Sequence, residues 1–226
     1  MRISLRRLSS FVFRRPSRLV REINSNALLV QWWKQNRPEH VFGNRFELYE
    51  FIDSNVLEHQ PIDYIEFGVY QGTSLFKWAE VNTHAESRFY GFDTFEGLPE
   101  TWDRIRDPFA KGHFDTGGQV PDTDDGRVRF VKGLFQETLP GFLQEFEARS
   151  QIVVHSDSDL YSSTLYCLTQ CDRLLRSGSV LLFDDFSTSS HEFQAFYDYA
   201  RSYRRTYRVL GAVGSKPYVR IALRME

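Results

Sequence analysis

Short apolar runs alternate with longer stretches of helical spacing along most of the chain. The runs are about six residues long and end in a polar or glycine residue, as β-strands do, and most are followed by a stretch whose apolar positions lie three and four residues apart. The predicted strands are 63–69, 88–93, 128–133, 151–157 and 179–185. Because strands that alternate with helices are joined by crossover connections, the pattern predicts an α/β fold with a doubly wound, mostly parallel sheet.

The two ends of the chain depart from this alternation. Residues 23–60 have helical spacing, with Asn44 placed to cap a helix. Residues 207–214 and 217–223 are two further apolar runs, which we expect to pair as antiparallel carboxy-terminal strands. The predicted organisation is a basic leader over 1–22, a helical amino-terminal cap over 23–60 and an α/β domain over 61–226.

One connection, residues 94–126, has neither the apolar run of a strand nor the apolar spacing of a helix, and it is rich in Gly, Pro and Asp. Structureless loops of this length are uncommon in compact domains and are usually functional. We therefore expect this segment, called the long loop below, to act as a lid or substrate loop. The chain contains no internal repeat and no low-complexity tract.

Composition and charge exclude some classes of protein. A hydrophobic content of 41% is typical of a globular chain, and no apolar run approaches the length that spans a bilayer. Residues 1–21 contain seven arginines and no acidic residue, whereas the rest of the chain carries 21 basic and 30 acidic residues. The acidic balance of the body argues against nucleic acid as a partner.

Two interpretations of the basic leader over 1–22 stay open. A helix would separate Leu5, Leu8 and Leu19 from the arginines, and such a helix suits peripheral contact with an anionic membrane. Pro16 interrupts that helix, which favours a segment that packs on the domain or frays. The leader has neither the continuous apolar core nor the small-residue cleavage site of a secretory signal.

The two cysteines, Cys167 and Cys171, lie four residues apart in a predicted helix. This spacing suits neither a disulfide nor a zinc site, which needs four ligands. We expect both thiols to be reduced and packed, which is consistent with a reducing, cytoplasmic location.

In open α/β sheets, ligands bind beyond the carboxyl ends of the strands, so the residues delivered there are the candidates for a site. The first predicted strand runs into EFGVYQGTS, where Gly68 and Gly72 allow a tight turn and close approach of a ligand. The dinucleotide pattern is not matched, since Tyr70 stands where a glycine is expected, and no P-loop lysine follows. Asp93 ends the next strand, where it is placed either to accept hydrogen bonds from ribose hydroxyls or to cap a turn.

Acidic residues are concentrated at the same predicted edge of the sheet. His155, Asp157 and Asp159 come at the end of one strand, and Asp184 and Asp185 at the end of the next. Clustered carboxylates repel one another unless they share protons or a cation lies between them, and an all-oxygen set suits Mg²⁺, Mn²⁺ or Ca²⁺ rather than zinc. The alternative is that Asp159 and one of the adjacent aspartates cap the helices that follow.

Together these stretches resemble the macrocin O-methyltransferase (TylF-type) family of class I S-adenosylmethionine-dependent methyltransferases. The matching segments are YIEFGVYQGTSLFKWA (64–79), FYGFDTFEGLPETW (89–102), KGHF (111–114), VKGLFQETLP (131–140), HSDSDLYSSTLYCL (155–168) and GSVLLFDDF (178–186). The resemblance covers roughly residues 45–190 and implies the Rossmann-like class I methyltransferase fold. It also implies an enzyme that transfers a methyl group from S-adenosylmethionine to a hydroxyl, typically on a sugar of a glycosylated metabolite or glycan.

The resemblance implies a set of site residues as well. The methyl donor is expected on Glu66, Gly68, Val69, Tyr70, Gly72, Thr73 and Ser74, with Asp93, Thr94 and Phe95 at the ribose and Gly133, Phe135 and Gln136 near the adenine. The divalent metal of the family, Mg²⁺ or a similar ion, is expected on Asp157, Asp184 and Asp185. Asp157 or His155 is the candidate base for the acceptor hydroxyl, and the alternative for His155 is a buried, hydrogen-bonded histidine.

Three alternatives to this function differ in what they predict. Trp102 and Phe109 of the long loop suit sugar faces but also the aromatic acceptor of a catechol-type O-methyltransferase. A catalytically silent binding domain would dock through residues 1–22 and would not bind S-adenosylmethionine. An NAD-linked epimerase or dehydrogenase is disfavoured by the missing third glycine. The expected partner is a small-molecule or glycan acceptor. Two alternatives stay open for Trp32 and Trp33, which either form a subunit contact in a homo-oligomer or cover the acceptor site.

Overall fold

An eight-stranded sheet organises the chain in the computed structural model, which describes residues 18–104 and 107–226. Its strands are β1 (His40–Phe42), β2 (Ile62–Phe67), β3 (Arg88–Asp93), β4 (Val128–Lys132), β5 (Gln151–Ser156), β6 (Val180–Phe183), β7 (Tyr207–Val213) and β8 (Arg220–Met225). Their order is β1-β7-β8-β6-β5-β2-β3-β4, and the neighbours pair parallel except for β8, which is antiparallel to both β6 and β7. The predicted doubly wound, mostly parallel sheet is confirmed, and so is the antiparallel pairing of the last two strands.

Helices cover both faces of this sheet. They are α1 (Arg18–Gln35), α2 (Arg45–Phe51), α3 (Thr73–Val81), α4 (Phe135–Glu145), α5 (Tyr161–Cys171) and α6 (Glu192–Ser202). The buried side chains of α1, α4, α5 and α6 pack on one face, and those of α2 and α3 pack on the other. Along β2, Ile65 and Phe67 point into the first core while Ile62 and Tyr64 point into the second. Burial on both faces is the reason that the central strands are rich in apolar residues at successive positions and do not alternate strictly.

The amino-terminal cap over 23–60 contains a strand between its two helices. β1 pairs parallel with β7 at the edge of the sheet, with His40 opposite Gly211. The sequence pattern did not indicate β1 because the strand has only three residues and none of them is buried. Asn44 caps α2 as predicted, since its side-chain oxygen accepts hydrogen bonds from the backbone N–H groups of Phe46 and Glu47 at 2.9 and 3.1 Å.

Helix α1 is anchored by two tryptophans that lie inside the chain. Trp32 donates from Nε1 to the hydroxyl of Tyr207 at 2.8 Å, and Trp33 packs edge-on to Tyr218 with 4.9 Å between ring centres. Both tryptophans are buried within the chain and neither lines the cavity described below, so their side chains are not exposed for a subunit contact. The homo-oligomer itself stays a prediction. Most of the basic leader over 1–22 lies outside the described residues, and only its last residues, from Arg18, belong to α1.

Cys167 and Cys171 lie in α5, where both are unpaired and point into the core. This confirms the prediction of free, packed thiols. Burial raises the pKa of Cys171 to about 12 and also raises that of Cys167. Among the described helices, none is both long enough and apolar enough to cross a membrane.

The described residues of the long loop, 94–104 and 107–126, are joined by backbone hydrogen bonds at the carboxyl edge of the sheet. Backbone hydrogen bonds join Trp102 to Phe109 in both directions, at 2.9 and 3.2 Å, and join Leu98 to His113 at 2.9 Å. Its apolar residues pack together with one residue that follows β5, Leu160. The loop is thereby held against the edge where the candidate residues lie.

Candidate active site

The turn after β2 passes against the chain that leaves β5. Gly68 has a φ of +91°, and a Cβ atom at this position would lie 1.9 Å from the backbone oxygen of Asp157. No side chain fits in that space, so glycine is required here both by conformation and by close approach. The turn and the first acidic residue beyond β5 are therefore fixed relative to each other.

Asp93 holds the same turn from the other side. Its Oδ2 accepts hydrogen bonds from the backbone N–H groups of Val69 and Tyr70, each at 2.8 Å, and its Oδ1 accepts one from Phe95 at 2.8 Å. Tyr70 has a φ of +51°, a left-handed backbone conformation that usually favours glycine. The hydrogen bond from its backbone N–H to Asp93 stabilises this conformation. A carboxylate has about four acceptor positions, so Asp93 can stabilise the turn and still accept a hydrogen bond from a ligand.

A cavity of about 310 Å³ opens beside the turn and is lined by residues from both sides of the predicted site. Six of the predicted donor-binding residues line it: Gly68, Tyr70, Asp93, Thr94, Phe135 and Gln136. Seven lie outside that lining: Glu66, Val69, Gly72, Thr73, Ser74, Phe95 and Gly133. Glu66 is fully buried and accepts a hydrogen bond from Ser74 Oγ at 2.7 Å, so its role in this structure is to brace the turn.

Four aspartates form the wall of this cavity that faces the turn: Asp157, Asp159, Asp184 and Asp185. Two overlapping groups each bring three ligand atoms within 4.8 Å of one another. The first group is His155, Asp157 and Asp184, and the second is Asp157, Asp159 and Asp185. Asp157 belongs to both groups, whereas the other two predicted metal ligands, Asp184 and Asp185, are divided between them.

Asp184 is paired with a cation that sequence reasoning missed. Arg220 donates to both of its carboxylate oxygens, at 2.6 and 2.9 Å, and Arg45 lies 3.6 Å away. Burial alone would raise the pKa of Asp184, but the hydrogen bonds and charge of Arg220 outweigh it, and the pKa lies below its ordinary value. Asp184 is therefore ionised at neutral pH.

The other carboxylates of the wall bind protons more tightly than usual. Burial and the neighbouring Asp184 and Asp159 raise the pKa of Asp157 well above its ordinary value. Burial and the charge of Asp185 raise the pKa of Asp159 to about 8, and burial together with Asp184 raises that of Asp185 to about 6. Like charges that cannot all ionise must either share protons or bind a cation.

A fifth buried carboxylate, Glu192, lies behind this wall and was also missed. It is fully buried at the start of α6, where Oε2 accepts from the backbone N–H of Asp185 at 2.8 Å and Oε1 accepts from Ser156 Oγ at 3.2 Å. Burial raises its pKa well above the ordinary value, with a further contribution from Asp185. Glu192 thus positions the backbone between β6 and the loop that follows.

The alternative in which these aspartates cap helices is wrong. The residues at the N-caps of α5 and α6 are Leu160 and His191, and neither makes a side-chain capping hydrogen bond. Asp159 instead has a left-handed backbone, with a φ of +61°, and its carboxylate interacts with that of Asp185. Its side chain is therefore directed to the acidic wall.

His155 is buried below the wall and does not line the cavity. Its Nδ1 lies 2.7 Å from the hydroxyl of Tyr64, and that hydroxyl donates to Glu66. Nδ1 is also 3.5 Å from Oε2 of Glu66. These contacts favour the buried, hydrogen-bonded histidine that the sequence left as an alternative.

The long loop supplies much of the remaining lining. Most of these residues are apolar: Leu98, Trp102, Phe109 and Phe114. The loop also contributes one positively charged side chain to the lining, that of Arg104. The aromatic content of the loop pointed to this wall, but nothing in the sequence pattern distinguished Arg104 from the other arginines.

Comparison with known proteins agrees with this geometry. Residues 43–211 match the family described as Macrocin-O-methyltransferase (TylF). A relative from Streptomyces olivaceus, 8-demethyl-8-(2,3-dimethoxy-alpha-L-rhamnosyl)-tetracenomycin-C 4′-O-methyltransferase, is 28% identical, with 78% of this chain and 72% of that protein covered.

Two solved structures have a similar fold. A calicheamicin methyltransferase has a TM-score of 0.63 at 24% identity, and the O-methyltransferase NovP has a TM-score of 0.59 at 20% identity. Each match covers 80% of this chain and 78% of the other. A second structure of the former describes it as a TDP-rhamnose 3′-O-methyltransferase. The shared fold confirms the class I methyltransferase architecture.

Proposed function

Because the chain belongs to the macrocin-O-methyltransferase family and is an O-methyltransferase, we propose that it methylates a hydroxyl on a sugar of a small glycosylated molecule, with S-adenosylmethionine as the donor. The acceptors named for the relative and for the calicheamicin enzyme are both rhamnose derivatives, which supports a sugar acceptor for this chain. The observation that carries the proposal is the cavity itself, since the glycine turn and Asp93 share it with the acidic wall.

The donor half of the cavity suits a nucleoside with a flexible charged tail. Gly68 lines this half of the cavity, and Asp93, which already accepts three hydrogen bonds, retains about one acceptor position for a ribose hydroxyl. Phe135 and Gln136, at the start of α4, are placed for the adenine ring. Glu66 and Ser74 are hydrogen-bonded to each other outside the lining, so their substitution is expected to act through the shape of the turn.

The acidic wall fits a divalent cation by the chemistry of its donors. All of the cavity-lining candidates are carboxylates, the ligands that Mg²⁺ prefers. Burial, and after it the charge of Asp184, raises the pKa of Asp157 and of Asp185. We propose that Asp157, Asp184 and Asp185 hold the ion, with Arg220 fixing the orientation of Asp184. A bound divalent ion lowers the pKa of a hydroxyl that coordinates it.

Asp159 is the proposed base for the acceptor hydroxyl. It lines the cavity, it is buried, and its carboxylate lies beside those of Asp157 and Asp185, next to the proposed ion. The sequence indicated Asp157 or His155 as the base. Asp157 is assigned here to the ion, and the place of His155 outside the lining and its contact with Tyr64 suit a positioning role. Asp159 would take the hydroxyl proton as the oxygen attacks the methyl carbon. The bond from that carbon to the sulfonium sulfur would break, and S-adenosylhomocysteine would leave with the electron pair. Close alignment in one cavity favours this displacement.

The test is methyl transfer from tritium-labelled S-adenosylmethionine with Mg²⁺ and a panel of acceptors. The panel contains methyl and p-nitrophenyl α-L-rhamnosides, dTDP-rhamnose and catechol. We expect label on a rhamnose derivative, weaker transfer after chelation of divalent ions, and loss of transfer in Asp159→Asn. Transfer to catechol with none to any sugar would instead establish the aromatic acceptor that the apolar long-loop wall also accommodates.

A further inference from the structure

Three buried polar side chains lie side by side beneath the acidic wall. Tyr64 and Glu66 are alternate residues of β2, so their side chains point to the same face of the sheet. His155 lies opposite Glu66 in the register of β2 and β5. At most 1% of each residue is exposed, so their polar groups depend on hydrogen bonds within the chain.

Hydrogen bonds join these side chains to the turn that lines the cavity. Oε1 of Glu66 accepts from Ser74 Oγ at 2.7 Å, and Ser74 lies in the first turn of α3, just after the glycine turn over 68–72. Oε2 of Glu66 accepts from the hydroxyl of Tyr64. The oxygen of that hydroxyl lies 2.7 Å from Nδ1 of His155, so Tyr64 connects Glu66 with His155.

This network decides which atom of His155 carries a hydrogen. Burial, and after it the charge of Glu66, raises the pKa of Tyr64 well above its ordinary value, so the hydroxyl keeps its single hydrogen. Tyr64 donates that hydrogen to Glu66, and its oxygen can therefore only accept from His155. Nδ1 of His155 is thus a donor to Tyr64 and is not free to act as a ligand or a base.

The same histidine lies against the acidic wall. A ring nitrogen of His155 is within 4.8 Å of carboxylate oxygens of Asp157 and Asp184, two of the proposed ligands of the divalent ion. His155 also precedes Asp157 by two residues at the end of β5. The orientation of the imidazole ring, which Tyr64 holds, therefore limits where these two carboxylates can lie.

We propose that Tyr64 and His155 are positioning residues for methyl transfer. The Tyr64 hydroxyl joins Glu66, which braces the glycine turn, to His155, which lies against the proposed metal ligands, and so fixes the two halves of the cavity relative to each other. Neither side chain lines the cavity, so both act through other residues. This inference rests on the proposed function. A misplacement of about 1 Å can slow a displacement reaction about a hundredfold.

The hydrogen on His155 is tested without any ligand. ¹⁵N NMR of protein labelled in its histidine rings distinguishes a nitrogen that carries a hydrogen from one that does not, and His155→Asn identifies the signals of this residue. We expect a hydrogen on Nδ1 of His155 in the wild type. An Nδ1 without hydrogen would overturn the inference, whatever the activity of the protein.

The positioning role is tested with Tyr64→Phe, which removes the connecting hydroxyl and keeps the ring. Tyr49→Phe is the matched control, because Tyr49 is buried on the same face of the sheet, packs edge-on to His155 and has a hydroxyl without a partner among the described residues. Methyl transfer to p-nitrophenyl α-L-rhamnoside is measured with saturating S-adenosylmethionine and Mg²⁺, below the unfolding midpoint of each variant.

We expect kcat to fall at least about tenfold in Tyr64→Phe, with a change of less than about threefold in the Kd of S-adenosylhomocysteine. Tyr49→Phe should change neither quantity. A merely structural role of Tyr64 would lower the unfolding midpoint and leave the kcat of the folded enzyme unchanged, and that result would overturn the inference.

Two substitutions of His155 separate the parts played by its two nitrogens. The side-chain amide of Asn can donate from near the place of Nδ1, whereas that of Gln extends to the place of Nε2. We expect His155→Asn to keep most of kcat and His155→Gln to lose it as Tyr64→Phe does. The reverse order would overturn the inference and leave the proposed function intact. Failure of the wild type to methylate any sugar would instead contradict the proposed function, and the histidine spectrum would still decide the hydrogen on His155.

Discussion

Arg220 donates two hydrogen bonds to Asp184, from Nε to Oδ1 at 2.6 Å and from Nη2 to Oδ2 at 2.9 Å. The contact depends on strand direction. Arg220 begins β8, the antiparallel strand, and Asp184 directly follows β6, to which β8 is paired. The parallel strands have their carboxyl ends at this edge of the sheet. Because β8 runs in the opposite direction, its amino-terminal residue, Arg220, lies at the same edge.

Loss of this ion pair should destabilise the fold. Arg220→Met leaves Asp184 buried and ionised without its partner, and we expect the free energy of unfolding to fall by about 2 to 3 kcal/mol in urea. Arg208→Met is the control, because its ion pair with Glu39 is exposed and should be worth less than about 1 kcal/mol. Equal effects of the two substitutions would contradict the assignment.

The same pair predicts a dependence on pH. The folded pKa of Asp184 lies below its ordinary value of 3.8, so the pair stabilises the fold above that pH and its contribution is lost as the pH falls through the folded pKa. The difference in unfolding free energy between wild type and Arg220→Met should therefore shrink as the pH is lowered toward about 3. A difference that stays constant with pH would show that Arg220 acts through packing alone.

The stability contributed by Asp159 and Asp185 should change with pH in the opposite direction, falling as the pH rises. Their folded pKa values, about 8 and about 6, exceed the ordinary 3.8, so their contribution to stability is full below that pH and is lost as the pH rises through about 6 and about 8. In the presence of a chelator, we expect the unfolding midpoint to fall between about pH 5 and about pH 9. Asp159→Asn should flatten this slope, whereas Asp124→Asn, an exposed residue of the long loop, should leave it unchanged.

Two glycines with similar backbone conformations should respond very differently to a methyl group. Gly68→Ala places Cβ against the Asp157 carbonyl, whereas Gly112, at φ +81°, has nothing within 4 Å of the added atom. We expect Gly112→Ala to cost about 1 kcal/mol from backbone strain, and Gly68→Ala to cost several-fold more and to weaken binding of the methyl donor. Thermal unfolding with and without S-adenosylmethionine measures both effects, and similar losses in the two variants would refute the close approach.

The two thiols should be inert in the folded chain. Burial raises the pKa of Cys171 to about 12, and Cys167 is also buried and protonated at neutral pH. Ellman's reagent at about pH 8 is therefore expected to release no chromophore from the native protein and two equivalents per chain after denaturation. Rapid reaction of the native protein would show that the core beneath α5 opens.

Much of this fold could be predicted because burial on both faces leaves a simple pattern. The central strands β2, β5 and β6 are short, buried and rich in apolar residues, so their positions and parallel pairing follow from the sequence. The edge strand β1 could not be found in this way, since it is short and exposed and exists only through its pairing with β7.

The site could be predicted in part. Several of its residues directly follow parallel strands, and the carboxyl ends of parallel strands lie at the same edge of the sheet. Asp93, Asp157 and Asp185 were found by that rule and do line one cavity. Arg220 and Glu192 could not be found, because each is joined to the site by a contact that depends on tertiary structure and has no local signal. Asp159 was misjudged as a capping candidate because the sequence does not reveal its left-handed backbone.

Thermal unfolding with S-adenosylmethionine, with and without Mg²⁺, tests the central claim most directly. A ligand that binds only the folded chain at about a hundred times its dissociation constant adds about 2.7 kcal/mol, or a rise of about 5 to 10 °C in the midpoint. We expect that rise with the methyl donor, and a further Mg²⁺-dependent increment that Asp157→Asn abolishes and Asp124→Asn retains. No shift with saturating donor would contradict the account of the cavity as the site of methyl transfer.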